Sequence, residues 1–148
     1  MKNDKQFEDV LFGYILAKGS FEIELREQTR TFRLSFNITE NKRDAVFLNR
    51  VKEFMECGSI HNKPNNTIVF WISKNDELLN VIKIMNMHEI YKHGVKLRYY
   101  AWKEIYEIYN NSVFGIKDNY GSARTIKERL YNELGIQKKR KYNASGVL

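Results

Sequence analysis

The spacing of apolar residues switches from a helical to an extended period early in the chain. Residues 6–17 carry apolar side chains at intervals of three and four, which predicts an amphipathic helix. From Phe21 to Leu25, and again from Phe32 to Ile38, apolar and polar residues alternate. Strict alternation is typical of strands with one buried face, and residues 27–30 join the two runs. The pattern therefore predicts a helix followed by an antiparallel hairpin.

A second helix and hairpin follow, and further helices complete the chain. The second helix is predicted from about Asn41 to just before Gly58, and the second hairpin has strands at 59–63 and 67–73 around a turn at 64–66. A third helix is predicted at 76–85, with Ser73 or Asn75 as its cap. Two further helices are predicted at about 96–110 and 122–134. The order αββαββα predicts an α+β fold, in which a four-stranded antiparallel sheet has helices on one face and the other face open. We assign one domain to residues 1–134, with its core at 6–110, and a basic tail to 135–148.

The charge of the chain points to an acidic partner. Among 148 residues there are 25 Lys and Arg against 18 Asp and Glu, a net charge of +7. The simplest partner for such a surplus is nucleic acid, and the alternative is a charge that serves solubility. Aromatic residues make up 14% of the chain, which argues for a packed core and against disorder.

Several classes of site and partner are disfavoured. Cys57 is the single cysteine, so the chain has no internal disulfide and no cysteine-based zinc site. His61, His88 and His93 show no metal-ligand spacing with it. No apolar run reaches the length of a membrane span, and the N-terminal residues lack the pattern of a signal or transit peptide. We expect no membrane partner and an intracellular protein. The abundance of Lys, Asn, Ile and Tyr, which have AT-rich codons, favours an organellar protein, mitochondrial or plastid.

Residues 11–21, LFGYILAKGSF, resemble the signature of the LAGLIDADG homing endonucleases. The matching positions are Leu11, Gly13, Ile15, Ala17 and Gly19, with Ser20 and Phe21 in the extension. The resemblance covers most of residues 6–110, because the period change after Gly19 and the second hairpin and helix also match. It implies a saddle-shaped sheet that straddles a duplex, followed by a basic helix that begins near Lys96.

Lys18 departs from the family pattern at the position that matters for catalysis. The resemblance places there an acidic residue that holds a divalent metal, and a lysine cannot ligate Mg²⁺. Leu16 offers no substitute. The resemblance therefore implies a scaffold with no catalytic residue and no cofactor, with Mg²⁺ needed only if the protein does cleave. Two alternatives stay open: an offset motif in which Glu22 or Glu24 supplies the carboxylate, or a partner chain that supplies it.

The signature occurs once in this chain. Family members carry either two copies in one chain or one copy in each of two chains, so the resemblance implies a homodimer. The interface would run along the first helix. Its predicted residues are Leu11, Phe12, Gly13, Ile15 and Ala17.

The open face of the predicted sheet, together with basic segments elsewhere, is the candidate nucleic-acid surface. Predicted binding residues are Lys18, Arg26, Arg30, Arg33, Ser35, Asn37, His61, Lys63, Trp71, Lys96, Arg98, Lys138, Lys139, Arg140 and Lys141. Glu22 and Glu24 fit this surface less well, because they bring negative charge towards a polyanion. Val69 and Trp71 would be exposed apolar groups, and an outward Trp suits the stacking of an unpaired base. The alternatives for Trp71 are a contact with another protein or packing under a C-terminal helix.

We therefore expect a LAGLIDADG-like protein that binds nucleic acid without cutting it. Its expected role is RNA binding or a structural part of a ribonucleoprotein, such as an organellar ribosome. One alternative is an active, metal-dependent homing endonuclease that cuts double-stranded DNA. A second alternative is a dimeric DNA-binding regulator.

Overall fold

The computed structural model describes residues 1–113 and 116–136 and confirms the predicted α+β architecture. Its elements are α1 (Lys5–Lys18), β1 (Gly19–Arg26), β2 (Thr31–Asn41), α2 (Ala45–Met55), β3 (Ser59–Lys63), β4 (Thr67–Ile72), α3 (Asn75–Met85), α4 (His93–Asn111) and α5 (Ile116–Leu134). The basic run Lys138–Lys141 lies outside the described residues. In the part of the chain described here, no helix is long and apolar enough to cross a membrane.

The four strands form one antiparallel sheet in the order β1-β2-β4-β3. Its register sets Phe21 opposite Phe36, and Phe36 in turn opposite Ile72 on β4. These side chains are buried with apolar residues of all five helices in one hydrophobic core. Since side chains alternate along a strand, the residues between them point to the other face. We call that other face the open face.

Aromatic side chains fix α4 to the first hairpin. Trp102 is completely buried, and its ring lies 5.4 Å from that of Phe21. Its indole Nε1–H donates to the carbonyl oxygen of Ser35 at 3.0 Å. Burial of a large ring together with a satisfied N–H is the arrangement in which Trp stabilises a core. Trp102 and Tyr99 of the predicted basic helix therefore belong to the core of the domain.

Helix α1 passes into β1 without a loop, and Gly19 makes this possible. A Cβ at Gly19 would lie 2.8 Å from the backbone oxygen of Ile15 and 3.0 Å from the ring of Phe36. Such distances leave no space for any side chain. The close approach holds Lys18, the last residue of α1, directly beside the sheet.

Two local details differ from the sequence-based expectation. Helix α2 begins at Ala45, several residues late, because the Asn41 side chain accepts from Arg43 N and caps a separate 3-10 turn at Lys42–Asp44. The N-cap of α3 is Lys74, with no side-chain capping bond, so the predicted cap at Ser73 or Asn75 was wrong. The second hairpin turns through Asn65 and Asn66, both with positive φ, as its sequence predicted.

Candidate nucleic-acid interface

The register places the predicted polar residues of all four strands on the open face. Glu22 pairs with Ser35, Glu24 with Arg33 and Arg26 with Thr31 between β1 and β2. Asn37 pairs with Trp71 on β4, and His61 on β3 pairs with Val69. The period-two alternation therefore assigned these side chains to the correct side of the sheet. Their role in binding remains a prediction.

The two glutamates of β1 are engaged by neighbours on the open face. Glu24 Oε1 accepts from Arg26 Nε at 3.1 Å, and its Oε2 lies 2.7 Å from Arg33 Nη2. The hydrogen bond from Arg26, followed by the charges of both arginines, lowers the pKa of Glu24. Glu22 accepts from the Asn37 amide at 2.9 Å. The negative charge of Glu24 is thus offset locally by arginine, whereas Glu22 is held by a neutral amide.

Trp71 is covered by a cation. It is half-buried, and the guanidinium carbon of Arg33 lies 5.7 Å from the centre of its ring, within cation–π range. Val69 is buried. The prediction that Val69 and Trp71 are exposed apolar groups was therefore wrong for Val69, and Trp71 has one of its ring faces occupied by Arg33.

Ser35 and Asn37 lie on the open face but are not exposed there. Both are buried, at 3% and 7% exposure, among longer side chains of the same face. Asn37 also uses its amide to hold Glu22. Their predicted contact with nucleic acid stays a prediction, and in this structure the two side chains expose little surface for it. On β3, His61 and Lys63 are exposed, and His61 Nε2 lies 2.8 Å from the Ser59 hydroxyl.

The tip of the first hairpin packs against α5, which adds two basic residues that the sequence pattern missed. The Arg30 guanidinium lies 5.2 Å above the ring of Tyr120. Arg124 and Lys127 line a cleft with Arg26 at the tip of the same hairpin. Lys127 Nζ also donates to the carbonyl oxygen of Ile23 at 2.5 Å. Helical periodicity identified α5, but nothing in it indicates which strand the helix packs beside.

The two predicted basic residues of α4 are separated by the fold. Arg98 is exposed and lines a cleft with Glu22 and Glu24 at the edge of β1. Lys96 instead lies in a groove between α4 and α5, together with Arg129. Lys96 and Arg98 therefore lie beside different surfaces, and the binding of nucleic acid by either stays a prediction.

Lys18 forms an ion pair where the family signature would place its metal ligand. Its ammonium group lies 3.7 Å from Glu40 Oε1, and its side chain is 54% exposed while that of Glu40 is 11% exposed. The Tyr14 hydroxyl donates to the same carboxylate oxygen. Burial, followed by the hydrogen bond to Glu40, raises the pKa of Tyr14. Lysine and tyrosine thus both contact the Glu40 carboxylate beside the end of α1.

These side chains do not fit a divalent metal. Mg²⁺ needs several free oxygen ligands, and here an ammonium group occupies the place of one of them. Among residues 1–113 and 116–136, no three or more His, Cys, Asp or Glu side chains are grouped so that they could hold an ion. Glu22 and Glu24, the carboxylates of the offset-motif alternative, are already bound to Asn37 and to the two arginines.

Helix α1 turns a different side outward from the one predicted as the dimer interface. Leu11 and Ile15 have no exposed surface and Phe12 only 7%, because all three pack into the protein's own core. The structure therefore corrects the prediction that these three form the interface. Gly13 and Ala17 are exposed, and a Cβ at Gly13 would meet nothing within 4 Å. The free side of the helix is completed by Val10, which is 53% exposed.

A helical layer packed on one face of an antiparallel sheet, with a polar open face, defines an α+β domain, and the chain carries a net charge of +7. The profile of the family described as LAGLIDADG endonuclease matches residues 11–106. This chain belongs to that LAGLIDADG family.

Individual relatives agree with this assignment. The chain is 29% identical over 109 residues to the "Probable intron-encoded endonuclease aI3" of Kluyveromyces lactis, a match that covers 72% of this chain and 27% of that protein. The homing endonuclease I-GzeII, solved in complex with its DNA target, superposes with a TM-score of 0.72 at 21% identity, over 86% of this chain and 45% of that one. I-TnaI superposes with a TM-score of 0.71 at 19% identity, over 88% and 97%.

The chain covers different shares of the lengths of these relatives. The chain spans about a quarter of the curated relative that it matches and about half of I-GzeII. It spans nearly the whole of I-TnaI. At these identities the structural matches show a shared fold.

Proposed function

We propose that this chain binds a nucleic-acid duplex with the open face of its sheet and does not cut the duplex with its own residues. The observation that carries the proposal is the ion pair between Lys18 and Glu40. A metal site built on this signature needs a carboxylate at the end of α1, and here a cation lies there and neutralises its neighbour. Lys18 is more than half exposed, so it remains able to approach a backbone phosphate.

Duplex DNA is the ligand that we favour, in place of the RNA expected from the sequence. Stacking of an unpaired base needs a free aromatic face, and one face of Trp71 is covered by Arg33. Exposed Arg and His side chains on a sheet suit the major groove of B-DNA, whereas the major groove of an RNA helix is too deep and narrow to be read. The structural relative I-GzeII was solved in complex with its DNA target.

RNA binding is the second candidate, and a different surface favours it. Tyr91 is 84% exposed and Tyr100 50% exposed, near the beginning of α4. Lys92 and His93 are exposed in the same stretch. Exposed aromatic rings beside basic groups suit the stacking of unpaired bases. A role in a ribonucleoprotein such as an organellar ribosome would use this surface.

We also propose that two copies associate through the outward side of α1. The residues of this surface are Val10, Gly13 and Ala17, whose small or exposed side chains permit close helix–helix approach. A duplex bound across such a pair would meet two open faces. An active enzyme remains the alternative if the partner is a different LAGLIDADG chain that brings its own carboxylate. An organellar location is supported by the composition and by the intron-encoded relative.

A binding and cleavage assay tests this proposal. Purified protein is incubated with fragmented DNA and, separately, with total RNA, and the retained molecules are sequenced. The retained ligand is then incubated with Mg²⁺ or Mn²⁺. We expect retention of duplex DNA and no cleavage. Retention of structured RNA in preference to duplex DNA would support the second candidate.

A matched variant controls for contaminating nuclease. Arg26→Ala combined with Lys63→Ala, purified in the same way, removes two exposed cations from the open face and should bind weakly. Cleavage by the wild type that disappears with EDTA, and is much reduced in this variant, would overturn the inactive assignment. Equal cleavage by both preparations would identify a contaminant.

A further inference from the structure

We propose that Arg33 reads a guanine, and that Glu24 and Trp71 position it for that task. This inference rests on the proposed binding of duplex DNA and goes further, because it assigns one base identity to one side chain. It also separates Arg33 from Arg26, which shares the Glu24 carboxylate but lies on the edge strand, away from Trp71.

The Arg33 side chain is held on two sides. Its Nη2 lies 2.7 Å from Glu24 Oε2, on the neighbouring strand. The flat guanidinium lies 5.7 Å from the centre of the Trp71 ring, on the strand at the other side. A guanidinium fixed by one carboxylate contact and one aromatic face has lost most of its rotational freedom before it meets a ligand. Its remaining N–H groups stay available, since the side chain is 47% exposed.

Guanine is the base whose major-groove edge fits such a group. Its O6 and N7 are two adjacent acceptors, and a guanidinium offers two parallel N–H donors at a matching spacing. Adenine presents a donor beside its N7, and cytosine presents a donor amino group, so neither accepts both N–H groups. A rigid fork therefore discriminates more strongly than a mobile one.

Glu24 makes a phosphate the poorer partner for Arg33. A phosphate would bring a full negative charge towards a carboxylate that lies against the same guanidinium, whereas a guanine edge is neutral. Arg26 provides the internal comparison. It bonds to the other oxygen of Glu24 at 3.1 Å and is 52% exposed, but its strand lies at the edge of the sheet, away from Trp71.

Selection from a pool of random duplexes tests the assignment. The wild type should select sites with an invariant guanine at one position, counted once in each half-site if the protein is a dimer. Arg33→Met keeps an unbranched side chain on Trp71 but has no hydrogen-bond donor. In this variant the ratio of the affinity for guanine to that for the other bases should fall by about 5- to 150-fold, at that position only. Arg26→Met removes the same charge and should weaken binding to all sequences without altering the preference.

A chemical substitution in the DNA isolates the contact. With 7-deazaguanine at the selected position, N7 can no longer accept a hydrogen bond. The wild type should bind this duplex more weakly than the natural one, whereas Arg33→Met should bind both equally. Equal losses for the two proteins would overturn the assignment, because the contact would then belong to another residue.

The positioning role of Glu24 has its own measurement. Glu24→Gln keeps an oxygen that accepts from Arg33 and should retain the guanine preference, whereas Glu24→Ala should lower it. Thermal melting of all variants establishes that each is folded. A wild type that retains no duplex DNA overturns the proposed function and this inference together. A wild type that binds a specific site, with unchanged base preference in Arg33→Met, overturns this inference alone.

Discussion

The ammonium group of Lys18 lies 3.7 Å from a carboxylate oxygen of Glu40, and the Tyr14 hydroxyl donates to the same oxygen. A lysine at the end of α1 is therefore part of a small, internally balanced cluster and is not an isolated cation. The cluster links the last residue of α1 to the end of β2. It also indicates which single change would restore part of a metal site.

Replacing Lys18 with Asp should create weak affinity for divalent cations. The introduced aspartate and Glu40 would then be adjacent carboxylates, which repel each other unless a cation lies between them. A ligand that binds only the folded state raises its stability, so millimolar Ca²⁺ or Mg²⁺ should raise the melting temperature of Lys18→Asp. Lys18→Asn removes the same positive charge without adding a carboxylate and serves as the control. Equal responses of the two variants to the cation would contradict the prediction.

The two glycines of the signature, Gly13 and Gly19, should respond oppositely to substitution by alanine. At Gly13 a Cβ meets nothing within 4 Å, so Gly13→Ala should stabilise the folded monomer by about 1 kcal/mol through helix propensity. At Gly19 a Cβ would lie 2.8 Å from a backbone oxygen, so Gly19→Ala should destabilise the protein. Urea denaturation of both variants measures the two effects. Destabilisation by Gly13→Ala in dilute monomer would show that the helix lacks the space described.

A larger side chain at Gly13 should separate the two proposed copies. Gly13→Leu leaves the monomer folded, because the position opens to solvent, but it prevents the close approach of a second α1. Sedimentation velocity at micromolar concentration should show a dimer for the wild type and a monomer for Gly13→Leu. Leu11→Ala is the contrasting variant, because Leu11 is in the core and its loss should lower the melting temperature. A wild type that sediments as a monomer, free and bound to DNA, would refute the dimer.

Stability should fall in alkaline solution because of two tyrosines. Burial is the largest cause that raises the pKa of Tyr14 and of Tyr99 in the folded protein. An unfolded tyrosine ionises near pH ~10, so above that pH the unfolded state releases protons that the folded state retains. The contribution of the two neutral tyrosines to the free energy of unfolding is complete below pH ~10. It is lost as the pH rises towards their pKa values in the folded protein. Denaturation curves of wild type and Tyr14→Phe between neutral and alkaline pH test this, and Tyr14→Phe should show a shallower decline.

Binding should depend steeply on salt. With 25 basic residues against 18 acidic ones, phosphate contacts should dominate the affinity, and each contact to B-DNA contributes about 0.9 to the slope of log K against log salt. Deletion of residues 137–148 removes the basic run. It should reduce that slope and weaken the binding of all DNA sequences about equally. The measurement is fluorescence anisotropy over a salt series. An affinity that is flat from low to moderate salt would favour a protein partner instead.

The elements and the faces of the sheet were predictable because both are local properties. Period-two alternation fixes which side of a strand Glu24 and Arg33 occupy, whatever the strand pairs with. The turn at Asn65 and Asn66 was predictable for the same reason, because it depends on adjacent residues that tolerate a positive φ. The family resemblance rested on a similarly short segment, residues 11–21.

The side of α1 that faces outward was decided by packing. Helical spacing marks an apolar stripe on α1 but does not say whether the stripe meets the protein's own core or a second chain. Leu11 and Ile15 proved to be core residues, and the exposed side passes through Gly13. Packing also decided the position of Arg124 and Lys127. They lie beside the first hairpin because α5 packs there, which helical spacing does not indicate.

The sequence by itself determined that this is an αββαββα domain of the LAGLIDADG type, with a polar sheet face and a lysine at the signature's acidic position. Each of these features depends on residues a few positions apart, where backbone geometry alone sets the arrangement. Only the tertiary structure decided that Lys18 pairs with Glu40 and that Arg33 lies between Glu24 and Trp71. Those contacts join residues 22, 9 and 38 positions apart in the chain, so they depend on how the strands and α1 pack together and not on any local periodicity.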